Sequence, residues 1–455
     1  MTKRREFIKQ SVLGTAGIAI GGMAFSARSY RSIQGANDRI NIGVIGIRGQ
    51  GGTHISNFGL LKDSKNIRIT MLGDADEQFF PERVKNVLDR TGETPATVWD
   101  MRRVFENKDI DAVSFATPNF WHALGTIWAC QAGKHVYVEK PACHTVLEGR
   151  RMVEASRKYN VRVQCGMQNR SIAGVMEAIK FLHDGGIGEV FMAKGLCFKP
   201  RDSFGIAQDG TPPESLHYDI WLGPAAWQPY NEKRTHYNWH WHWNTGGGDT
   251  ANQGPHQFDI ARWGLNKNEH PVTIYSMGNI FGIDPKECSQ ETPNTQTSIF
   301  KYQDGKILEF ETRGRYTHAE ASLNIRIGNM FYGTEGYVEI DGGNWKAFRK
   351  RENKPFAGSD MSPKTADPTF MAPPGDSAHY ANFIDAIRSG KNETLHCDIL
   401  EGYMSSALPA LANVSYKVGR QLTFDGTKEK FINDKEADKL LTREYRKPYV
   451  VPEVV

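Results

Sequence analysis

A strand-like apolar run that ends in a glycine-rich turn constrains the fold of this chain more than any other feature. Residues 39–46 (RINIGVIG) have the unbroken apolar character of a buried parallel strand. Residues 46–52 (GIRGQGG) form a turn, after which a helix is predicted from His54. A strand that passes through such a turn into a helix predicts the first unit of a parallel α/β sheet.

The turn also predicts a dinucleotide site. In the G-x-G-x-x-G pattern, Arg48 stands at the second glycine position. Gly46 still permits the tight turn, and Gly49 and Gly51 still let backbone N–H groups and the helix start approach a pyrophosphate. The residues expected to contact the nucleotide here are Gly46, Ile47, Arg48, Gly49, Gln50 and Gly51.

The acid at the end of the next strand favours NAD over NADP. Residues 67–73 read as a strand that ends at Asp74, about 20 residues beyond the turn, where such an acid is expected. A carboxylate there accepts hydrogen bonds from the ribose diol and repels a 2′-phosphate. Asp76 is the substitute if the strand end is misplaced by two residues, and a plain strand-end turn is the alternative.

Further strands alternate with helices up to about residue 165. Strands are predicted at 111–116, 135–139 and 161–165, with helices at 122–132 and 145–160 between them. Ligands of open α/β sheets bind at the carboxyl ends of the strands. Those ends carry Thr117, Asn119, His122, Glu139 and Lys140 as candidate cofactor contacts. Lys140 is expected close enough to a nicotinamide ring to handle a hydroxyl proton.

Composition excludes several other classes of protein. The net charge of +4 over 455 residues is small, and no Lys/Arg tract argues for a nucleic-acid partner. No apolar run of about 20 residues follows residue 30, so no membrane span is expected in the mature protein. The six cysteines lack zinc-ligand spacing and are interpreted as core residues, with one disulfide left open. We expect no metal site.

The N-terminal segment is interpreted as an export signal. Residues 3–9 (KRREFIK) precede a weakly apolar, Gly/Ala-rich run from Ser11 to Ala24, and Ala24-Phe25-Ser26 offers small residues for cleavage. This arrangement resembles a twin-arginine signal, and a basic helix with chance arginines is the alternative. Residues 1–30 are therefore predicted to direct export to the periplasm or beyond, with the folded protein carrying its cofactor.

Together these motifs resemble the Gfo/Idh/MocA family (glucose–fructose oxidoreductase, inositol dehydrogenase, rhizopine catabolism). The matching pieces include Glu139-Lys140-Pro141, Gly246-Gly247-Gly248 and Gly333-Thr334-Glu335-Gly336, and they cover most of residues 39–341 in family order. The resemblance implies a Rossmann domain followed by an α/β domain with a large, open, mostly antiparallel sheet. It also implies NAD-linked chemistry on sugars or polyols, and a homodimer or homotetramer assembled through the open sheet.

We divide the chain into a signal (1–30), a Rossmann domain (37–165), a substrate and oligomerisation domain (166–425) and a tail (426–455). Residues 297–302 and 308–311 alternate around the turn Asp304-Gly305, which predicts an antiparallel hairpin. Residues 221–243 are dense in Trp, Tyr and His, which suits a carbohydrate site. Trp239 and Trp241 are the predicted substrate contacts, and packing of a long lid loop is the alternative for any single tryptophan.

The resemblance assigns proton transfer to Lys140 and His256, from the family's lysine and its Asp-x-x-x-His pair. Here Asn252 replaces the aspartate, so it hydrogen-bonds a sugar hydroxyl but takes no proton. Asn252 and His256 are predicted to share one helical face. Asp249 or Asp259 is the substitute carboxylate, although a salt bridge of Asp259 with Arg262 is equally open. Gln168 and Arg170 are predicted to line the same cleft, contacting cofactor and substrate respectively.

Three functions follow from these residues. The first is an NAD-linked sugar oxidoreductase that holds its nucleotide tightly and transfers hydride at a secondary alcohol. The second is a redox-neutral glycosidase or lyase working through a keto-sugar, as in relatives that are NAD-dependent glycosidases; α-N-acetylgalactosaminidase is one such activity. The third is a non-catalytic sugar-binding protein, against which the presence of both Lys140 and His256 argues.

Overall fold

The computed structural model describes residues 38–359 and 377–455. The predicted signal at 1–30 lies outside the described residues. Within them, no helix is both long enough and apolar enough to cross a bilayer. The described chain forms two β-sheets with helices packed on them.

The first sheet has six parallel strands in the order β3-β2-β1-β4-β5-β6. Its strands are β1 (Ile40–Ile45), β2 (Ile67–Gly73), β3 (Ala96–Val98), β4 (Ala112–Phe115), β5 (His135–Glu139) and β6 (Val163–Gly166). The helices are α1 (Gly49–Leu60), α2 (Phe80–Thr91), α3 (Arg102–Glu106), α4 (His122–Gln131) and α5 (Val146–Lys158). Helix α1 begins at Gly49 rather than at His54, because the glycine turn itself makes the first helical turn.

The second sheet has ten described strands, and all described neighbours pair antiparallel except β7 and β10. Its order is β14-β13-β12-β11-β7-β10-β9-β8-β15-β16. The strands are β7 (Val190–Cys197), β8 (Thr273–Asn279), β9 (Thr295–Lys301), β10 (Ile307–Arg313), β11 (Ile327–Gly333), β12 (Gly336–Asp341), β13 (Asn344–Arg349), β14 (Ala357–Gly358), β15 (Leu422–Asp425) and β16 (Lys430–Phe431). The predicted hairpin is present, since Ile307 pairs with Lys301 across the turn.

The remaining helices pack on the sheets and on one another. They are α6 (Ala173–His183), α7 (Tyr218–Leu222), α8 (Gly248–Asn252), α9 (Gly254–Gly264), α10 (Ala378–Ser389), α11 (Ile399–Val418) and α12 (Lys435–Lys439). Helix α10 lies within the range assigned to the second domain, yet Tyr380 and Phe383 pack in one apolar cluster with β1 and β2. The tail also joins the core, through Leu441, Tyr449 and Val451.

The predicted fold class is confirmed: a parallel Rossmann sheet precedes a large, mostly antiparallel sheet. The domain boundaries stay predictions. Because ligands of such sheets bind at the carboxyl ends of the strands, the loops after β1, β2, β4 and β5 are where a site is expected.

Candidate active site

A cleft of about 420 Å³ opens at the carboxyl ends of the first sheet. The Rossmann side of its lining includes Gly46, Arg48, Gly49, Gln50, Asp74, Thr117, His122, Glu139 and Lys140, all singled out from the sequence. The opposite side comes from the second part of the chain and includes Ile220, Trp221, His236, Tyr237, Trp239 and His240. The predicted contacts Ile47, Gly51, Asn119 and Gln168 do not line this cleft.

The glycines of the first turn are required by close backbone approach. Gly46 has φ +78°, and an added Cβ would lie 2.6 Å from the Thr117 backbone nitrogen. A Cβ on Gly51 would lie 1.9 Å from the Gly46 carbonyl oxygen. At Gly49, by contrast, nothing lies within 4 Å of the Cβ position. Gly46 and Gly51 therefore shape the turn, while Gly49 keeps space open over the helix start for a ligand.

Asp74 is anchored by two backbone groups. Its Oδ2 accepts from Ile47 N at 2.8 Å, and its Oδ1 accepts from Asp76 N at 2.9 Å. Burial raises the pKa of Asp74 to about 6, although these two backbone hydrogen bonds oppose the shift. The Ile47 N–H is thus committed to Asp74 and is not available to a phosphate. The Arg48 guanidinium lies 5.5 Å from the centre of the Phe79 ring.

The cleft fits a dinucleotide on three observations. Gly49 leaves open space at the start of α1. The first N–H groups of a helix have no helical acceptor and favour a negatively charged ligand. The buried Oγ1 of Thr117 has no hydrogen-bond partner among the described residues. The Asp74 carboxylate lines the same cleft and has further acceptor capacity for a ribose diol. The residues present therefore suit NAD, held by the turn, Asp74 and Thr117.

Glu139 is a buried hydrogen-bonding hub at the end of β5. Its Oε1 accepts from Gln168 Nε2 at 2.8 Å and from Gln50 Nε2 at 3.1 Å, and it lies 3.0 Å from His54 Nε2. Burial raises the pKa of this carboxyl, but the His54 hydrogen bond and nearby cationic groups outweigh it and lower the pKa to about 2. Gln168 therefore does not line the cleft itself but holds the Glu139 carboxylate, which does.

Lys140 is partly buried, and its side chain makes one described hydrogen bond. Its Nζ donates to the backbone oxygen of Asn252 at 3.0 Å. Burial lowers the pKa of Lys140 below its ordinary value, with Glu139 opposing. A lysine whose pKa is lowered can accept a proton nearer to neutral pH.

The predicted shared helix for Asn252 and His256 is wrong. Helix α8 ends at Asn252 and α9 begins at Gly254, and the His256 N–H bonds Gln253 O at 3.2 Å instead of Asn252 O. Pro255 lacks an N–H and cannot continue a regular ladder. The break leaves the Asn252 carbonyl free of a helical partner, and Lys140 takes it.

His256 is buried in a neutral state. It is 5% exposed, and its Nδ1 has no hydrogen-bond partner among the described residues. Burial, followed by the nearby Lys140 charge, lowers the pKa of His256 to about 3. The imidazole is therefore uncharged at neutral pH and keeps a ring nitrogen available for a ligand.

Asp259 and Arg170 lie together, paired with each other. Arg170 Nε and Nη2 donate to the two Asp259 carboxylate oxygens at 2.8 and 2.9 Å, and Ser405 Oγ donates to Asp259 at 2.7 Å. Arg262 is farther away, at 3.9 Å. Burial raises the pKa of Asp259, but the charge and hydrogen bonds of Arg170, together with Arg262 and Ser405, outweigh it and lower the pKa overall. In the described part of the chain no hydrogen bond joins Asp259 to His256, and the predicted roles of Asp259 and Arg170 stay predictions.

Asp249 is likewise committed to an arginine. Its two carboxylate oxygens accept from Arg201 at 2.7 and 2.9 Å, while the Asn252 amide approaches it at 3.4 Å. Asp249 is 3% exposed. Arg201, which the sequence reasoning missed, also lies 4.9 Å over the Trp241 ring.

The predicted aromatic contacts are mostly packed. Trp241 is 5% exposed under Arg201, and Trp239 is 8% exposed and stacks on His240 with ring centres 3.6 Å apart. Trp239 reaches the lining of the cleft and Trp241 does not. Their roles as substrate contacts stay predictions.

His122 supports the loops of the cleft, whereas Asn119 does not line it. The His122 nitrogens lie 2.7 Å from Pro141 O and 2.9 Å from Thr117 O, so the ring ties the β5 loop to the β4 loop. Asn119 is 2% exposed and faces a different cavity, described below.

The loop-like segment whose aromatic residues suggested a carbohydrate site bonds to residues 75–77 on the nucleotide side of the cleft. We call residues 215–240 the strap. Glu77 N donates to Ser215 O at 2.9 Å, His217 N donates to Ala75 O at 2.8 Å, and His236 Nε2 pairs with Asp76 Oδ2 at 3.0 Å. These bonds join residues far apart in sequence, and only the density of aromatic residues hinted that the segment covers a site.

Family models match both parts of the chain. Residues 40–167 match the oxidoreductase family, NAD-binding Rossmann fold, of Gfo/Idh/MocA. Residues 205–451 match the C-terminal alpha/beta domain of the same oxidoreductase family.

Curated relatives are similar over shorter stretches. A glycosyl hydrolase family 109 protein of Solibacter usitatus (strain Ellin6076) is 33% identical over 177 residues, or 36% of this chain and 39% of the relative. A levoglucosan dehydrogenase of Pseudarthrobacter phenanthrenivorans is 34% identical over 96 residues, or 21% of this chain and 25% of the relative. The chain thus matches well under half the length of these relatives.

Solved structures share the fold over most of the chain. Levoglucosan dehydrogenase in complex with NADH and levoglucosan superposes with a TM-score of 0.63 at 18% identity, covering 85% of this chain and 99% of that one. Aldose-aldose oxidoreductase from Caulobacter crescentus gives 0.62 at 19% identity, covering 85% and 100%.

Proposed function

The chain belongs to the Gfo/Idh/MocA family of oxidoreductases, with an NAD-binding Rossmann domain, and we propose that it transfers hydride between NAD and a secondary alcohol of a sugar. One observation carries the proposal. Lys140 lines the cleft that fits NAD, and its charge acts on the buried His256, whose Nδ1 has no hydrogen-bond partner among the described residues.

Alcohol oxidation removes a hydride from carbon and a proton from oxygen. When bound, NAD supplies the hydride acceptor. The protein must then orient the hydroxyl and take its proton, for which a group with a pKa brought toward neutrality is needed. Lys140 is that group in our proposal, since burial lowers its pKa and the Asn252 carbonyl holds its Nζ in place. Neutral His256 orients the hydroxyl and exchanges the proton with Lys140 or with water.

Tight retention of NAD is part of the proposal. The strap bonds to residues 75–77 beside Asp74, and Trp99 stacks on His217 with ring centres 4.2 Å apart. A dinucleotide in the cleft would leave only after some of these contacts open. Retention suits a cycle in which one sugar reduces the nucleotide and a second sugar reoxidises it.

The first experiment identifies the nucleotide carried by the purified protein. Protein prepared without added nucleotide is denatured, and the released cofactor is identified by mass and quantified. We expect NAD or NADH at close to one per chain. The matched strap variant His236→Ala, which removes the Asp76 pair, is expected to carry less. A wild-type protein that is empty and binds NAD weakly would contradict retention.

A second function is favoured by the curated relatives named glycosyl hydrolase family 109. Oxidation of one hydroxyl to a ketone acidifies the adjacent C–H, which permits elimination of a glycosidic group, and addition of water and return of the hydride close a redox-neutral cycle. Product analysis with loaded protein separates the two functions. Net ketone supports the oxidoreductase, and released aglycone without net NADH supports the glycosidase.

Export through the twin-arginine route is proposed from the Arg4-Arg5 motif. Cell fractionation of the wild type and of an Arg4→Lys/Arg5→Lys variant tests it. We expect the wild type in the periplasm and the variant retained in the cytoplasm, and an identical distribution would contradict export.

A homodimer or homotetramer through the open sheet is proposed from exposed apolar side chains. Tyr275, Met277 and Ile299 on β8 and β9 are 38%, 60% and 43% exposed, while alternate residues of these strands are buried. Light scattering after size exclusion is expected to show an oligomer, and Met277→Lys/Ile299→Asp is expected to dissociate it. A monomeric wild type would contradict the assembly.

A further inference from the structure

A second cavity of about 370 Å³ is lined in part by residues that directly follow cleft residues in the sequence. Asn119 and Pro141 line it, whereas the preceding residues Pro118 and Lys140 line the nucleotide cleft. Its other walls come from the residues before α5, from one face of α11 and from the tail around residues 439–444. None of the predicted functional residues except Asn119 belongs to it.

Cationic side chains dominate the lining of this cavity. Lys417, Lys439 and Arg443 line it together with His144, and Glu444 is the single carboxylate among the described lining residues. Burial lowers the pKa of Lys417, and the neighbouring Arg443 charge lowers it further. Burial lowers the pKa of Arg443 as well, whereas Lys417 and Lys439 are exposed over part of their surface. Positive charge that converges on one space attracts an anion.

The cations lack carboxylate partners in the described part of the chain. Arg443 Nη2 donates to the Asn244 side chain at 3.2 Å, while its buried Nη1 has no hydrogen-bond partner there. Lys417 Nζ lies 4.3 Å over the Trp243 ring. Neither side chain forms an ion pair within 4.0 Å with a carboxylate of the described residues.

Two carboxylates outside the lining, Glu148 and Glu291, are engaged elsewhere. Glu148 accepts from the backbone nitrogens of His144 and Thr145 at 2.8 and 3.1 Å, and from Tyr445 Oη at 3.2 Å. Glu291 accepts from Trp243 N at 2.8 Å and lies 3.4 Å from His242. Glu148 offsets part of the Arg443 charge and Glu291 part of the Lys417 charge, but among the described residues neither carboxylate comes within ion-pair distance of these cations.

The buried Asn119 side chain indicates that a ligand of this cavity would also carry hydroxyl groups. Asn119 is 2% exposed, and its Oδ1 has no hydrogen-bond partner among the described residues. An amide oxygen accepts from an O–H group and does not bind an anion. The cavity thus combines unpaired donors with positive charge and an unpaired acceptor, in a volume suited to a small metabolite.

We propose that this cavity is a binding site for a small hydroxylated oxyanion, that is, a sugar-like molecule bearing a carboxylate or a phosphate group. Arg443 and Lys417 bind the oxyanion, and Asn119 accepts a hydrogen bond from a hydroxyl group. Because Asn119 and Pro141 adjoin Pro118 and Lys140 of the cleft, occupancy stiffens the loops that hold the nucleotide. The proposal does not depend on which sugar reaction the cleft performs.

Titration calorimetry on the full chain tests the site with four probes: gluconate, glucose 6-phosphate, inorganic phosphate and glucose. We expect gluconate or glucose 6-phosphate to bind more tightly than inorganic phosphate, and the better of the two identifies the charged group. Inorganic phosphate binding as tightly as both would overturn the role of Asn119. Failure of both hydroxylated anions to bind would overturn the site.

Variants locate the binding and separate it from the cleft. Arg443→Gln and Lys417→Gln are each expected to weaken the better anion at least tenfold, and Ala410→Leu, which fills the cavity without changing charge, is expected to do the same. Lys428→Gln is the matched control, since its side chain is 76% exposed on the same C-terminal segment. The amount of NAD bound per chain is expected to be equal in all variants, because none of these side chains lines the nucleotide cleft. Anion affinity unchanged in Lys417→Gln and Ala410→Leu would overturn the proposal even if Arg443→Gln fails to fold.

Discussion

Two pairs of buried ionisable residues differ in what they leave unpaired. Arg170 and Asp259 are 8% and 1% exposed, and both carboxylate oxygens of Asp259 are engaged by the guanidinium. Lys140 and His256 are also withdrawn from solvent, yet Lys140 bonds one backbone carbonyl and His256 Nδ1 bonds nothing in the described chain. Both pairs are buried, but only the Lys140 and His256 pair keeps a hydrogen-bonding site unused among the described residues.

The difference shows how a site is told apart from a scaffold. A buried ion pair whose hydrogen bonds are complete holds elements together, here α9, α11 and the segment after β6. A buried base whose ring nitrogen makes no hydrogen bond, such as His256 Nδ1, does not hold elements together in this way. It can form that hydrogen bond with a ligand instead. The sequence offered His256 for proton transfer and Asp259 as a substitute carboxylate, and the structure pairs Asp259 with Arg170.

The largest expected effect comes from Lys140→Met. Loss of the proton acceptor is expected to lower kcat by about 10²–10⁴-fold. Lys140→Arg is expected to be equally impaired, because arginine keeps the charge but does not release its proton. Steady-state kinetics measures the loss, with bound nucleotide and thermal midpoint as controls that stay near wild type. Activity within a few-fold of wild type in both variants would place proton transfer elsewhere.

Asp259→Asn is expected to act on stability instead. Removing one charge of the buried pair leaves Arg170 with Glu401 alone, at 3.2 Å, and is expected to cost about 3 kcal/mol of unfolding free energy. Chemical denaturation measures this loss, and Arg170→Met/Asp259→Leu is expected to recover much of it. The pH profile of kcat/KM is expected to keep its shape. A shifted profile would mean that Asp259 tunes His256, and the contrast between the pairs would fail.

The pH dependence of stability distinguishes His256 from Glu139. Because the folded pKa of His256 is about 3, its contribution is complete above pH 6.5 and is lost as pH falls toward 3. At pH 5 the free energy of unfolding is therefore about 2 kcal/mol lower than it is above pH 6.5. Glu139, whose pKa is about 2, loses its contribution only below about pH 4.5.

Denaturation at pH 7 and pH 5 tests this for His256→Gln. The variant is expected to lose about 2 kcal/mol less than the wild type between these pH values. An identical loss in the two proteins would show that His256 takes up a proton while folded.

The smallest effect is expected from Asn252→Asp, which restores the carboxylate that the family pattern places there. A negative charge close to His256 is expected to raise the pKa of that imidazole by about one unit, or about 1.4 kcal/mol. Proton NMR titration of His256 measures the shift. Asn266→Asp, on an exposed residue just beyond α9, is the matched control and is expected to change nothing. An unchanged pKa of His256 would mean that the introduced carboxylate pairs with Arg201 instead.

Much of the cleft followed from the sequence for a simple geometric reason. The carboxyl ends of parallel strands meet at one edge of a sheet, so Gly46, Asp74, Thr117 and Lys140 lie together once the strands are recognised. The break between α8 and α9 also carried a signal, since Gly254-Pro255 interrupts a helix. The predicted shared face of Asn252 and His256 overlooked that proline.

The chain sequence by itself determined the Rossmann sheet, the order of its motifs and the set of polar residues at its edge, because hydrophobic periodicity and turn residues act locally. The tertiary structure alone decided that Asp259 pairs with Arg170, that the strap bonds to residues 75–77, and that Lys417 and Arg443 face one cavity. These residues are 26 to 160 positions apart, and only the folded chain brings their backbone and side-chain groups within reach of one another.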